Sequence, residues 1–176
     1  MRAIKFQKET SRSRLADLVD EYGGSVYKFC RSLAYSKEDA DDLFQETFLR
    51  VFEDSQKINA CDDPRGFLFS AAIFVHKSWK RKYARRNRIA PAAAPDETAA
   101  SGDDVESGVI TREEARIVRD LVKSLPEKFR IPIILYYTME LSVPDIAQAM
   151  RLPAGTVKSR LFKARKLIEK GLGEVL

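Results

Sequence analysis

The sequence predicts an all-α protein with two small helical domains joined by a flexible acidic linker. Apolar residues recur at spacings of three and four along most of the chain, which is the pattern of amphipathic helices. Serine caps and prolines divide that pattern into helix-length segments. Residues 90–107 are rich in alanine, proline, serine, glycine and acidic residues, a composition typical of a linker. The predicted divisions are a tail at 1–13, a first domain at 14–88, the linker at 89–110 and a second domain at 111–176.

The first domain is predicted to begin with a helix near Arg14 that Gly23 and Gly24 break or bend, since interior glycines destabilise helices. Ser36 is positioned to cap the second helix, with Asp39 three residues on. The predicted buried stripe of the second helix consists of Ala40, Phe44, Thr47, Phe48 and Val51.

The outward face of the second helix is acidic and is either a solvated surface or an interaction surface. Exposed charge is usually only solvated. Leu49 and Gln45 within the face favour the second interpretation. The predicted interaction surface comprises Asp41, Asp42, Gln45, Glu46 and Leu49.

Pro64 is predicted to open a long helix that becomes basic and aromatic toward its end, near Arg86. Cations interleaved with aromatic rings are the combination that binds single-stranded nucleic acid. The alternative is that Trp79 belongs to the core and the cations are only solvated. The candidate nucleic-acid contacts of this helix are Lys77, Trp79, Lys80, Arg81, Tyr83 and Arg85. We expect His76 at the surface or on a phosphate, without a catalytic role.

The second domain is predicted to contain four helices and to end in a helix-turn-helix. Thr111 with Glu114 forms a capping box, and Pro132 predicts a kink or a late start in the helix that follows Pro126. Ser142 caps the first helix of the pair, and Pro153 is predicted to be the first residue of the second.

The last helix divides into two sides at 100° per residue. Val157, Leu161, Ala164 and Ile168 are predicted to face the core. Such a helix can enter the major groove and read bases, with flanking cations on phosphates. The alternative is a solvated cationic helix. The candidate contacts are Thr156, Lys158, Ser159, Arg160, Phe162, Lys163, Arg165 and Lys166.

Charge distribution supports two nucleic-acid contacts. Lysine and arginine total 31 and acidic residues 26, a net charge of +5. Lys77–Arg88 holds seven cations and no acid, Ile89–Ile110 holds five acids and no cation, and Thr156–Lys170 holds six cations against Glu169. Two basic patches on either side of an acidic connector predict two contacts with a polyanion.

Several other classes of protein are disfavoured. Cys30, Cys61 and His76 form no ligand-spaced cluster, so we expect no metal or other cofactor. No paired carboxylates with a base and no glycine-rich phosphate loop support an enzyme. Without a run of about 18 apolar residues or a signal-peptide core, we expect a cytoplasmic protein that does not insert into membranes.

Three stretches resemble the bacterial sigma factors of the extracytoplasmic-function group. EDADDLFQETFLRVFED (38–54) resembles the polymerase-binding helix of region two, and PRGFLFSAAIFVHKSWKRKYARR (64–86) occupies the place of the helix for the minus-ten element. Residues 124–168, which include GTVKSRL, resemble the helix-turn-helix domain called region four. The second stretch departs from the group, whose members usually have Arg-Asn near Ile73-Phe74 and an aspartate near Ser78.

The resemblance implies an alternative sigma factor without catalytic residues. Its core-binding helix would meet the clamp helices of the largest polymerase subunit, and the flap of the second-largest subunit is a further implied partner. The last helix would read the minus-thirty-five element of promoter DNA. The loop from Asn59 to Pro64, together with the following helix, would capture the melted minus-ten strand. An anti-sigma factor is the remaining implied partner.

The competing hypothesis is a stand-alone helix-turn-helix transcriptional regulator. It accounts for 142–170 but gives no role to 38–54 or 64–86. Binding to core polymerase distinguishes the two, because a stand-alone regulator does not need it.

Overall fold

The computed structural model describes residues 2–34, 36–54, 63–89 and 112–175. Within these ranges the chain forms seven α-helices and no β-strand, which confirms the predicted all-α class. They are α1 (Arg2–Leu33), α2 (Lys37–Glu53), α3 (Pro64–Ile89), α4 (Arg112–Ser124), α5 (Glu127–Tyr137), α6 (Val143–Met150) and α7 (Ala154–Val175). The first three helices form one compact unit and the last four form a second. The predicted linker lies outside the described residues except for its first residue, Ile89.

Helix α1 is longer than predicted and is not interrupted by its glycine pair. It begins at Arg2, where a tail was expected, and continues through Gly23 and Gly24 to Leu33. Gly23 is buried, and a Cβ added there would lie 3.5 Å from Val19 Cγ1 and 3.8 Å from Phe44 Cζ. The predicted break is therefore wrong, because packing against α2 outweighs the low helix propensity of glycine.

The core of the first unit lies among α1, α2 and α3. Phe29 of α1 and Phe69 of α3 are fully buried and meet edge to face, with ring centroids 5.2 Å apart. The buried stripe of α2 includes Leu43, which sequence reasoning missed, in addition to Ala40, Thr47, Phe48 and Val51. Phe44 is only half-buried at the edge, where its ring meets Tyr27.

His76 is buried, so the expectation of a surface histidine is wrong. Its side chain is 4% exposed. Leu68, Ala72 and His76 recur every four residues on one side of α3, and both apolar members are fully buried. The imidazole therefore continues the buried stripe and is not available to a phosphate.

The second unit packs α5, α6 and α7 around a core that includes Ile131, Leu135, Ile146, Val157 and Leu161. Helix α5 begins at Glu127, directly after Pro126, and continues across the buried Pro132. A late start at Pro132 is therefore wrong. Helix α4 ends at Ser124, as predicted, while Thr111 of its predicted capping box lies outside the described residues.

The turn between α6 and α7 gives the helix-turn-helix its geometry. The Ser142 hydroxyl accepts the backbone N–H of Asp145 at 3.3 Å, and the Asp145 carboxylate accepts the backbone N–H of Ser142 at 3.3 Å. This reciprocal capping box confirms the predicted start of α6. At the other end, Arg151 takes a left-handed conformation, and the Leu152 N–H donates to the Ala147 carbonyl at 2.9 Å. Pro153 precedes the first residue of α7 and is not itself helical.

Candidate nucleic-acid interface

Helix α7 presents a polar face to solvent and an apolar face to its own unit. Val157, Leu161 and Ala164 are buried against that unit, while Ile168 is half-buried toward the end. These four residues are the ones that sequence spacing assigned to the core-facing side of the helix. Six of the eight candidate contacts are exposed, and Thr156 and Arg160 are half-buried at the flanks. The exposed candidates are Lys158, Ser159, Phe162, Lys163, Arg165 and Lys166.

Three of the candidate side chains on α7 have contacts within the chain. The Ser159 hydroxyl donates to the Thr156 carbonyl at 2.9 Å, which leaves its oxygen available as an acceptor. Lys166 pairs with Glu169 at 2.8 Å and lowers the pKa of that carboxyl. The Arg165 guanidinium lies about 6 Å from the ring centres of two tyrosines on α5. Lys158, Phe162 and Lys163 are also exposed, and Phe162 is 59% exposed.

The acidic face of α2 is partly occupied by internal hydrogen bonds. The Tyr27 hydroxyl donates to Asp41 at 2.7 Å, and this hydrogen bond raises the pKa of Tyr27. Glu46 accepts a hydrogen bond from the Trp79 indole N–H. The remaining members of the face, Asp42, Gln45 and Leu49, are exposed.

Leu49 is the most exposed of the large apolar side chains on the described surface of the first unit, at 63%. Leu49 is therefore accessible to a partner protein, although single exposed apolar side chains are also common on solvated surfaces. A shallow groove beside this face is lined by Gly23, Gly24, Tyr27, Asp41 and Gln45, among others. The acidic face thus combines negative charge with a neighbouring groove.

The aromatic residues of α3 are arranged differently from the prediction. Lys77, Lys80, Arg81 and Arg85 are exposed, as expected for a nucleic-acid contact. Trp79 is half-buried and directed to Glu46 on α2. Tyr83 is exposed, but it lies about 180° around the helix from Phe74. The predicted Asn59 contact lies outside the described residues.

Phe74 is a further exposed aromatic side chain of α3, and it was not among the predicted contacts. Its ring is 41% exposed and lies 4.0 Å from the Arg50 guanidinium carbon of α2. The signal was present in the sequence, because Phe74 precedes Lys77 by three residues and Arg81 by seven, which places all three on one face.

The described residues carry neither a candidate metal site nor a membrane-spanning helix. They contain no group of three or more His, Cys, Asp or Glu side chains placed to hold a metal ion. None of the helices in the described ranges has the length and apolar character needed to span a bilayer.

Two family models match the chain, one for each unit. Residues 18–86 match sigma-70 region 2, and residues 115–168 match sigma-70 region 4. The first match spans the acidic face of α2 and the basic face of α3. The second spans the helix-turn-helix.

Relatives aligned over three quarters or more of their length support the same family. An ECF RNA polymerase sigma-E factor from Haemophilus influenzae is 31% identical over 141 residues, covering 76% of this chain and 75% of the relative. SigW, an ECF sigma factor from Bacillus subtilis, is 27% identical over 98% of this chain and 96% of its own length. No support for the stand-alone regulator appears among these matches.

Solved structures show the same helical fold. The sigma factor RpoE from Bartonella quintana, in complex with the anti-sigma factor NepR, has a TM-score of 0.74 at 21% identity and covers 89% of this chain and 97% of its own. CnrH in complex with the cytosolic domain of CnrY has a TM-score of 0.65 at 22% identity and covers 98% and 97%. With both regions matched and relatives aligned over most of their length, the chain belongs to the ECF RNA polymerase sigma factors and is an alternative sigma factor that acts in promoter recognition.

Proposed function

We propose that the chain binds core RNA polymerase through the acidic face of α2 and reads promoter DNA with α7 and α3. The observation that carries this proposal is the division of α7. Its candidate base-reading residues are exposed while Val157, Leu161 and Ala164 hold the helix on its unit. A helix fixed along one side and polar along the other can be inserted into a major groove without unfolding.

On α7, Lys163 and Ser159 read base edges in the minus-thirty-five element, and Phe162 contacts a thymine methyl. Lysine donates to guanine O6 and N7, and apolar side chains contact the methyl group that marks thymine. Phosphates are held, and the register on the DNA is set, by the flanking residues Thr156, Lys158, Arg160, Arg165 and Lys166. Within the chain, Glu169 competes with phosphate for Lys166, and the tyrosines of α5 compete for Arg165.

On α2, the exposed members of the acidic face meet the clamp helices of the largest polymerase subunit. Leu49 supplies an apolar anchor, while Asp42 and Gln45 supply charge and hydrogen bonding around it. This anatomy, an apolar centre with a polar rim, is that of a protein–protein interface. Asp41 and Glu46 support the same surface through their contacts with Tyr27 and Trp79.

On α3, the exposed cations bind the backbone of the melted minus-ten strand, together with the loop that includes Asn59. No covalent chemistry is required of the protein. Unstacking bases costs a few kcal/mol, and better binding of the single strand than of the duplex offsets that cost. Trp79 and Tyr83 remain candidates for this contact, with Trp79 restricted by its bond to Glu46.

We assign the remaining roles from the family. The flap of the second-largest polymerase subunit is a further contact, and the chain works in the cytoplasm as a non-enzymatic subunit. An anti-sigma factor is a proposed partner because the two structural neighbours are complexed with NepR, an anti-sigma factor, and with the cytosolic domain of CnrY.

Transcription in vitro with core enzyme, followed by sequencing of the 5′ ends, tests the proposal. We expect discrete start sites that depend on this protein and share two upstream elements. Asp42→Lys should reduce both core binding and transcription, whereas Asp17→Lys, at an exposed acid on α1, is the matched control. Transcription that starts at the same sites without this protein, or a chain that binds the DNA elements but never core enzyme, would contradict it.

A further inference from the structure

Tyr136 and Tyr137, the last two residues of α5, form an aromatic pair beside α7. Their ring centroids lie 5.0 Å apart, and the ring planes are inclined at 75°. Tyr136 is half-buried, whereas Tyr137 is 58% exposed. Burial in the core of the second unit therefore does not account for the position of the second ring.

One cation of α7 lies over both rings. The Arg165 guanidinium carbon is 5.9 Å from the ring centroid of Tyr136 and 5.8 Å from that of Tyr137, within the range of a cation–π contact. Because two rings of another helix contact the same guanidinium, they restrict the positions of a long and otherwise exposed side chain. An arginine that is restricted in this way loses less conformational entropy when it binds a ligand.

Arg165 lies on a flank of α7 that borders the proposed base-reading face. Lys158 precedes it by seven residues, which places the two cations within about 20° of each other around the helix and about 10 Å apart along its axis. Both side chains are exposed. This flank therefore presents two separate cations to the backbone of a duplex that occupies the reading face.

The contact with the rings leaves Arg165 able to bind an anion. A guanidinium has five N–H donors, and a cation–π contact does not require any of them. The rings therefore compete with a phosphate for the conformations of the arginine, but not for its donors. Lys166 differs in this respect, because its ammonium group is paired with the Glu169 carboxylate at 2.8 Å.

We infer that Tyr136 and Tyr137 are positioning residues, which hold the Arg165 guanidinium at one backbone phosphate of the minus-thirty-five duplex. The inference rests on the proposed function, in which α7 binds that duplex. The phosphate is bound by the guanidinium, and the rings act on it only through Arg165. This assignment gives the end of α5, which lies outside the helix-turn-helix pair, a role in fixing the register of α7 on DNA.

The test measures binding of holoenzyme to promoter DNA in which each phosphate across the minus-thirty-five element is replaced in turn by an uncharged methylphosphonate. With the wild-type protein, we expect one phosphate at which this replacement weakens binding by about tenfold and at which Arg165→Ala abolishes the penalty. Lys158→Ala should abolish the penalty at a different phosphate. The two positions serve as the target and the internal control.

Substitutions at the tyrosines then show whether the rings position the arginine. Tyr137→Leu should lower the Arg165 penalty by about twofold to fivefold, the contribution of an exposed cation–π contact, and leave the Lys158 penalty unchanged. Tyr137→Phe should retain the Arg165 penalty because the ring remains. Replacing Tyr136 by leucine as well should lower it further. In an Arg165→Ala background, the tyrosine substitutions should have no additional effect on affinity.

Two results would overturn the assignment. One is an Arg165 penalty that stays at the wild-type value in both leucine variants. The other is a Tyr137→Phe variant that loses as much as Tyr137→Leu, which would make the hydroxyl the group that binds the phosphate. Failure of the proposed function is distinct, because no methylphosphonate in the element would then weaken binding of the wild-type holoenzyme.

Discussion

Arg151 has a left-handed backbone at the turn of the helix-turn-helix. Its φ is 54°, and the side chain is exposed. A Cβ in this conformation is strained, and glycine is the residue that relieves the strain. We expect Arg151→Gly to stabilise the second unit by up to about 1 kcal/mol, the gain being limited by the greater freedom of glycine in the unfolded chain.

Denaturant unfolding of the full chain measures this effect. Arg151→Ala is the control, because it removes the same charge while keeping the Cβ and the strain. Equal stability of the alanine and glycine variants would show that relief of the left-handed strain does not exceed the conformational entropy that glycine gains in the unfolded chain.

Cys30 is a buried thiol in the core of the first unit. Burial raises the pKa of Cys30 to about 12, even though a hydrogen bond with Thr47 acts in the opposite direction. The folded state therefore binds the thiol proton more tightly than the unfolded chain, in which the pKa is about 8.5. The resulting stability is fully present below about pH 8.5 and is lost as pH rises toward 12.

In a Cys61→Ser background, we expect Cys30 to react with a thiol reagent at pH 8 at least a hundredfold more slowly in the native protein than in denaturant, because reaction requires opening of the core. Reaction at the unfolded rate in native buffer would mean that the α1–α2 interface opens freely. Cys30→Ala should remove the part of the stability loss at alkaline pH that comes from ionisation of the Cys30 thiol.

At the scale of the helices, a hydrogen bond joins the acidic face of α2, proposed to bind polymerase, to α3, proposed to bind DNA. The Trp79 indole of α3 donates to Glu46 of α2, and Trp79 is the only tryptophan in the chain. The tryptophan emission of the chain therefore comes from this indole and reports on its surroundings, which include the contact with Glu46. We expect Glu46→Ala to shift the emission to longer wavelength and to lower stability by about 1 kcal/mol, because the indole loses its acceptor and gains solvent.

Glu46→Gln is the matched variant for this contact. Its amide oxygen can still accept the indole N–H, so that the emission should remain close to that of the wild type. If the alanine and glutamine variants have the same emission wavelength, the hydrogen bond from the indole to residue 46 is not formed when the protein is in solution.

Within α7, the exposed lysines have different expected roles. Lys163→Ala should reduce discrimination between the preferred and altered minus-thirty-five elements by about 1–3 kcal/mol, since a bidentate base contact is lost. Lys158→Ala should weaken binding to all sequences alike, as expected of a phosphate contact. Affinities of holoenzyme for the preferred promoter and for promoters altered at single bases separate these outcomes. If Lys163→Ala weakens binding to every sequence equally, Lys163 does not read a base.

Across the whole molecule, the two units are proposed to bind one promoter. The slope of log affinity against log salt counts the phosphates neutralised, at about 0.9 for each contact on duplex and about 0.7 on a single strand. We expect Lys158→Ala and Arg81→Ala each to reduce the slope by about one contact, and the double variant by about the sum. Lys28→Ala, at an exposed cation on α1, is the control. If the double variant has the same salt slope as one of the single variants, the other substitution removes no phosphate contact on this promoter. The two units would then not bind the same DNA.

Patterns of local spacing determined much of this protein in advance. The starts of α3 and α6 and the buried side of α7 follow from Pro64, Ser142 and the repeat of apolar residues, because these signals act within a few residues of chain. The family also followed from sequence, since its motifs stand in order along the chain. The cationic faces were predictable for the same reason.

Tertiary packing decided what local spacing could not. Gly23 lies under Phe44, so that α1 continues where propensity predicts a break. His76 is buried because α3 is covered over a wide arc, and Trp79 bonds to a residue 33 positions earlier in the chain. The exposure of Phe74 beside Arg50 likewise depends on how α2 lies against α3. Which aromatic ring meets solvent is set by contacts between helices, and helical periodicity within one segment carries no information about them.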